Sequence, residues 1–522
     1  MAEPMRLPSM SNVNRSYKDA IAALNSLQSN YASIEALKSQ KDFSPKQRSE
    51  LSIAEVYEFI RRLGYKPKEF DRLNVVHVTG TKGKGSTCAF VDSVLRQYRG
   101  SGIGKVGLFT SPHLKSVRER IRIDGQPITE QKFTKYFYEV WDKLSSTTSS
   151  PEEFPSLQPC DIVKPMYFKY LTVLSFHVFM SEGVDTAIYE VGVGGKYDST
   201  NIVQHPTVAG VSSLGIDHTF MLGNTIDSIA WNKAGIFKSG CPAVVSEQSE
   251  FPESIEIVKK VADEVGVSSF EVVGSSIIPP DVKLGLAGSF QRQNAALAVK
   301  LADIHLRKLG VPDSDLPTWN DGTPTLPEKF IVGLANTKWD GRCQRLTGQE
   351  GFENVTWYID GAHTLESIRV ASEWFSSSVV KQRQRPGAPN ILLFNQQARE
   401  NASDLLQKLH DTVSAAGVKF DHVIFTTNIT WSDGSYNSDL VSLNNSKEQV
   451  DKLVIQKELA EKWSSLDQAK GQTSRKHIFP DIETSLNFIK SLTNDDHHVD
   501  TFVCGSLHLV GGFLAVLEGE RD

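Results

Sequence analysis

Residues 74–90 read NVVHVTGTKGKGSTCAF, an apolar run that breaks into glycine and lysine and resumes at once as a second apolar pattern. That is the layout of a strand, a tight turn and a helix, with Phe90, Val91, Val94, Leu95 and Tyr98 along one side of the helix. A chain built around such a unit is committed to a largely parallel sheet. Glycines in the turn let backbone N–H groups converge on an anion, and the helix N-terminus adds its positive dipole end. Lys84 can then reach outer phosphates, while Ser86 or Thr87 can serve phosphate or Mg2+. The spelling departs from G-x-x-x-x-G-K-[ST]: Gly80 stands too close to Gly83 and Lys84, and Gly85 intervenes before Ser86. The plain alternative is a tight turn with solvated lysines.

The rest of the chain repeats the alternation. KVGLFT, DTAIYEVGVGG, PTVAGVSSLG and CPAVVS read as strands, and NVTWYID, NILLF, HVIFTT and TFVCG as a second series, with helical patterns between. Residues 17–39 and 51–63 have helical spacing, whereas 144–160, 310–330 and the charged DDHHVD at 495–500 read as surface loops. At 522 residues the chain exceeds one ordinary core. The fold expected is α/β, with an N-terminal nucleotide-binding domain over 1–335 and a smaller Rossmann-like domain over 336–522. With 56 basic against 62 acidic residues and no basic block, a nucleic-acid surface is not expected. No run approaches the roughly 18 apolar residues of a membrane span. Five scattered cysteines without a C-x-x-C pair point to a reducing compartment. The N-terminus lacks a secretory apolar core, yet Arg6, Arg15 and several serines lend it a faint transit-peptide character.

Further polar groups stand at the ends of apolar runs, where α/β sheets build sites. They are Ser111 and His113 in FTSPHL, Glu190 in AIYEVGVGG, Asp217 and His218 before a helix, Lys233 within it, Arg342 in WDGRCQ, and Asp360 with His363 in IDGAHT. An acidic residue at Glu190 suits Mg2+, which takes one or two carboxylates plus phosphate oxygens. By spacing alone a strand-end salt bridge at Glu190, a structural His218 and a snorkelling Lys233 stay open.

Together and in this order, VTGTKGKGST, TSPHL, YEVGVGGKYDSTN, LGIDHTFMLGNTIDSIAWNKAGIFK, AALAV, DGRCQ, DGAHT and GSLHLVGG resemble the folylpolyglutamate synthase family, within the wider group of Mur-type ATP-dependent amide ligases. The resemblance runs from about residue 75 to 512. It implies ATP-driven phosphorylation of a folate γ-carboxyl and attack by the amino group of L-glutamate. Gly80, Gly83, Lys84, Gly85, Ser86 and Thr87 would hold the phosphates, Ser111 and Glu190 one Mg2+, and His218 with Glu190 a second. Lys233 matches a lysine that can be carbamylated. Lys84, Lys233 and His218 would be the catalytic set. Asn294 matches an adenine-side contact, and Arg342, Asp360 and His363 would close over ATP from the second domain. A monovalent cation, K+, is implied beside Mg2+. The partners implied are small molecules only (ATP, L-glutamate and reduced folates), for a monomer of the cytoplasm with the mitochondrial matrix as a second destination.

Lys82 and Thr364 resemble the polyglutamate branch, where dihydrofolate synthases usually carry Asn at both places. A dihydrofolate synthase or bifunctional enzyme is the nearest alternative. Three departures from the family pattern, at Ser289-Phe290, at Asp340 and at Gln397 with Glu400-Asn401, leave an ATP-binding pseudoenzyme as another.

Overall fold

The computed structural model describes residues 15–28, 45–154, 157, 164–320, 322–382, 387–396, 401–435, 439, 452–493 and 497–521. Its first sheet is made of Val76–Thr79 (β1), Val106–Phe109 (β2), Ile121–Ile123 (β3), Gln126–Pro127 (β4), Thr186–Glu190 (β5), Val208–Val211 (β6), Ala243–Ser246 (β7) and Phe270–Val273 (β8). They lie in the order β4-β3-β2-β5-β1-β6-β7-β8. The six from β2 to β8 in that order are parallel, and β3 and β4 return antiparallel at one edge.

The central strands β2, β5, β1, β6 and β7 are buried at every position because both faces are covered. Alternate residues part to opposite sides: Phe109, Ala187 and Tyr189 join one core, and Leu108 and Ile188 the other. The first core is closed by Tyr17–Asn25 (α1) and Pro45–Leu63 (α2), then, beyond Lys84–Arg96 (α3), by Glu130–Ser146 (α4) and Tyr167–Glu182 (α5). Thr219–Leu222 (α6) and Ile226–Ala234 (α7) follow β6, and α7 packs with Ser254–Val265 (α8) against β6 and β7. The second core is closed by α3, Gln291–Lys308 (α9) and Glu328–Ala335 (α10). A small hairpin, Thr318–Asn320 (β9) with Thr323–Thr325 (β10), precedes α10.

Residues 336–343 lead to a second sheet: Gln344–Leu346 (β11), Val355–Ile359 (β12), Asn390–Phe394 (β13), His422–Phe425 (β14), Arg475–Ile478 (β15) and Val499–Cys504 (β16). Its order is β11-β12-β16-β13-β14-β15, parallel except at β11. Leu365–Gln382 (α11), Ala402–Ala415 (α12) and Val454–Ala469 (α13) cover one face, and Ile482–Ser491 (α14) and Leu507–Glu518 (α15) the other. The protein is thus α/β with two mostly parallel, doubly covered sheets. Among the described residues no helix is long and apolar enough to cross a membrane.

Three loop expectations are corrected. Residues 310–330 hold the β9–β10 hairpin and the start of α10, because Trp319 packs against the second core while its indole N–H bonds Asp303. Residues 144–160 begin inside α4, which runs to Ser146. In DDHHVD only 497–500 are described, and there the solvated reading fails: His498 and Asp500 are buried at the start of β16, with His498 Nε2 bonded to the Thr356 hydroxyl. Residues 29–39 of the first helical pattern, the N-terminal residues 1–14, Cys160 and the departures from Gln397 to Glu400 lie outside the described residues.

Candidate functional site

The glycine loop crosses the carboxyl ends of β1, β5 and β6, where the chain leaves β1 toward neighbours on opposite sides. Two glycines are demanded by geometry. Gly80 has φ +149, and a Cβ there would stand 1.9 Å from Ser212 Oγ. Gly83 has φ +83 and caps α3; a Cβ there would stand 2.1 Å from Asn294 Oδ1. The loop is tied down from β6: Thr81 and Lys82 donate their N–H groups to Ser213 O, and Ser212 Oγ donates to Lys82 O at 2.6 Å.

Lys84 opens α3 and folds back so that Nζ donates to Gly80 O at 3.0 Å. Lys233, in the last turn of α7, donates to the same oxygen at 2.7 Å. It is 2% exposed. Burial, and then the Lys84 charge, push Lys233 well below the ordinary lysine range. The snorkelling alternative does not hold: this side chain points into the loop.

Glu190 ends β5 within the same space, 4% exposed, with Oε2 accepting the Ser111 N–H at 2.9 Å. Burial raises its pKa, opposed by Lys84, the Ser111 N–H, Arg342 and Arg120. The salt-bridge alternative fails too, since no ion pair joins Glu190 among the described residues. Ser86 and Thr87 are buried in the first turn of α3. Gln291 donates to Ser86 Oγ (3.3 Å) and accepts from Asn294 (2.9 Å), so Asn294 lies beneath Gly83 at the end of a buried chain of amides. The Thr87 hydroxyl is buried and finds no partner among the described residues.

His218 stands farther out. It starts α6 in a left-handed conformation (φ +51), with nearly half of its side chain exposed and Nε2 3.9 Å from Asp217 Oδ2. Its exposure sets it apart from Glu190, which is buried.

From the second sheet, Asp360 follows β12, 7% exposed, and accepts the Cys343 N–H at 2.8 Å. Burial raises it, and Arg342 opposes. His363 Nδ1–H donates to Gly361 O at 2.8 Å. The Arg342 charge from the second half also acts on Glu190, and His113 bonds Asp439 O across the halves at 2.8 Å. A cavity of about 30 Å³ lies beside Arg342, lined by Pro112, His113, Arg122, Trp339 and Leu507 among others. Ion pairs also cross between the halves: Lys82 with Glu366 in the first turn of α11, and Lys115 with Glu518 and Glu520.

Sequence reasoning gave no role to Gln291, Ser212, Arg120 or Trp339. Gln291 sits three residues before Asn294, one helical turn away, and that spacing could have found it. The others are brought in by tertiary contacts alone.

The donors fit Mg2+. Among the described residues no cluster of three His, Cys, Asp or Glu could hold a metal. A cation here would draw on Glu190, Ser111, water and phosphate oxygens, as Mg2+ characteristically does.

Residues 347–516 match the family described as dihydrofolate synthetase, C-terminal domain. The chain is 59% identical to a folylpolyglutamate synthase of Candida albicans over 519 residues, covering 98% of each. It is 50% identical to a folylpolyglutamate synthase of Saccharomyces cerevisiae (strain FostersO), covering 97% of this chain and 88% of the relative. Among solved structures, a Mycobacterium tuberculosis folylpolyglutamate synthase complexed with ADP superposes with a TM-score of 0.66 at 22% identity, covering 97% of this chain and 100% of the other.

Proposed function

The chain belongs to the folylpolyglutamate synthase family, and from that premise we propose that the cleft between its two sheets is where ATP, a reduced folate and L-glutamate meet. The activity is that of an ATP-dependent, ADP-forming ligase adding L-glutamate to the γ-carboxyl of folates. A carboxylate is a poor electrophile at neutral pH, so ATP first converts it to an acyl phosphate, releasing ADP. The glutamate amino group then attacks the acyl carbon, loses a proton, and phosphate departs. The protein's contribution is positioning and charge neutralisation around phosphoryl transfer.

In this reading the loop N–H groups from Gly83 to Ser86 and the N-terminus of α3 cradle the outer phosphates. Lys84 exchanges Gly80 O for a phosphate oxygen. Glu190 and Ser111 hold Mg2+, with His218 at the rim; the ion supplies charge neutralisation on the transferring phosphoryl group. Arg342 and Asp360 approach the nucleotide from the second half, with His363 beside them. Lys233, its pKa lowered by burial, would in its unprotonated form take up CO2 as a carbamate, releasing a proton and gaining an acidic oxygen. K+ and a monomeric, cytoplasmic protein with a mitochondrial share belong to the same reading.

The observation that carries it is the convergence of Lys84, Lys233 and the buried carboxylate of Glu190 on one glycine loop, faced by Arg342 from the other half. Purified protein incubated with ATP, Mg2+, K+, tetrahydrofolate and labelled L-glutamate is expected to give stepwise glutamylated folates by mass spectrometry, with loss in Lys84→Ala. Glutamylation undiminished in Lys84→Ala would remove the loop from the reaction. Product formed from dihydropteroate and not from tetrahydrofolate would move the activity to the dihydrofolate synthase branch.

A further inference from the structure

Trp339 lies on the connector between the two sheets, five residues before β11, and its indole is half-buried against the second core. Its Nε1 stands 3.3 Å from the position a Cβ would take on Gly85. Both carboxylate oxygens of Glu190 stand 3.6 Å from that same point, and no other indole atom is nearer than they are. The ring therefore presents its N–H edge to the loop. That N–H has no acceptor among the described residues, and it is not sealed from solvent. On the ring face, the Arg122 guanidinium carbon sits 5.3 Å from the centroid, with Arg122 Nε donating to Glu119 O at 3.1 Å. A cation over the face holds the indole in place and makes its N–H a stronger donor.

A free N–H at the head of a phosphate-cradling helix is placed to donate to an oxygen anion. We propose that Trp339 Nε1–H is a further phosphate donor of the site, binding an oxygen of the outer phosphates of ATP or of the phosphoryl group in transfer, with Arg122 as its positioning residue. This rests on the reading that the loop holds those phosphates. It also gives the connector a direct contact with the nucleotide, so the approach of the two halves is sensed where phosphoryl transfer occurs.

The test compares Trp339→Phe, which keeps a ring and loses the donor, with Arg122→Gln and Lys84→Ala. Trp339→Phe is expected to lower kcat at least tenfold with unaltered thermal stability, and Arg122→Gln to do so less. A second readout does not depend on turnover: the fluorescence difference between native protein and Trp339→Phe on titration with nucleotide. It is expected to change with ADP and a non-hydrolysable ATP analogue and to stay flat with AMP, which lacks the outer phosphates. Native kcat in Trp339→Phe together with a flat difference signal for all three nucleotides would overturn the proposal while leaving the loop's role intact. Nucleotide binding unchanged in Lys84→Ala would instead overturn the site reading on which it rests.

Discussion

At the residue scale, Lys233 shows most plainly that function is held against stability. Burial lowers the pKa of this amine in the folded chain, whereas in the unfolded chain it returns to its ordinary value. The unfolded state therefore binds more protons between the depressed folded pKa and the ordinary one, and stability must rise with pH across that window. Urea unfolding from neutral to mildly alkaline pH is expected to show this rise in the native protein and a flatter profile in Lys233→Met, which is also expected to lose ligase activity. An identical slope in both proteins would show that Lys233 is not the group whose pKa is lowered. Gly83 provides a second residue-scale case. Gly83→Ala puts a Cβ into Asn294 Oδ1 and forces a left-handed backbone that costs an L-residue about 1–2 kcal/mol. Its midpoint of thermal unfolding is expected to fall, and nucleotide binding by calorimetry to weaken sharply. Gly64, also at positive φ but with open space around it, serves as the control whose substitution spares binding.

At the scale of elements, the strands that carry site residues were legible because burial on both faces writes them as continuous apolar runs. NVVHV, IYE and WYID announce β1, β5 and β12, and the polar residues after them stand out against that background. Edge strands carry no such signature. RKHI (β15) and FEVV (β8) are partly exposed, and IRI (β3) is three residues long, so none could be told from loop. Periodicity placed helices but not what they meet: nothing in the spacing says that Gln291 reaches Ser86, or that α11 offers Glu366 to Lys82. That last pair ties the phosphate loop to the second half across two side chains, each about one-third exposed. Exposed pairs are worth about 0–1 kcal/mol, so Lys82→Glu or Glu366→Lys alone should disturb the Michaelis constants only a few-fold. The double exchange should restore most of the loss; additive losses would show that the two residues act separately.

For the whole molecule, the fold follows from repeated βα units, and its division into two sheets follows from the limit on how large one core grows. What the sequence could not supply is the facing of one sheet's loops by the other's. The Arg342 charge acts on Glu190 and Trp339 stands against Gly85 only because residues 336–343 fold back along the mouth of the first sheet. The resemblance named Arg342, but the geometry of the connector belongs to the structure. The departures stay compatible with this assembly: Phe290 lies at the start of α9 with its ring against Gly288, and Asp340 accepts a hydrogen bond from Gln344 at 2.8 Å. Neither displaces a residue of the loop.

The central claim is that the ATP held in this cleft phosphorylates the folate γ-carboxyl before the amide forms. It is tested most directly with tetrahydrofolate carrying heavy oxygen in that carboxyl group, converted by the protein in ordinary water with ATP and L-glutamate. Mass analysis of the released phosphate is expected to find one heavy oxygen transferred from each fully labelled carboxyl, because the acyl phosphate breaks at its carbon when glutamate attacks. Phosphate free of heavy oxygen, with glutamylated folate still formed, would contradict the acyl-phosphate route.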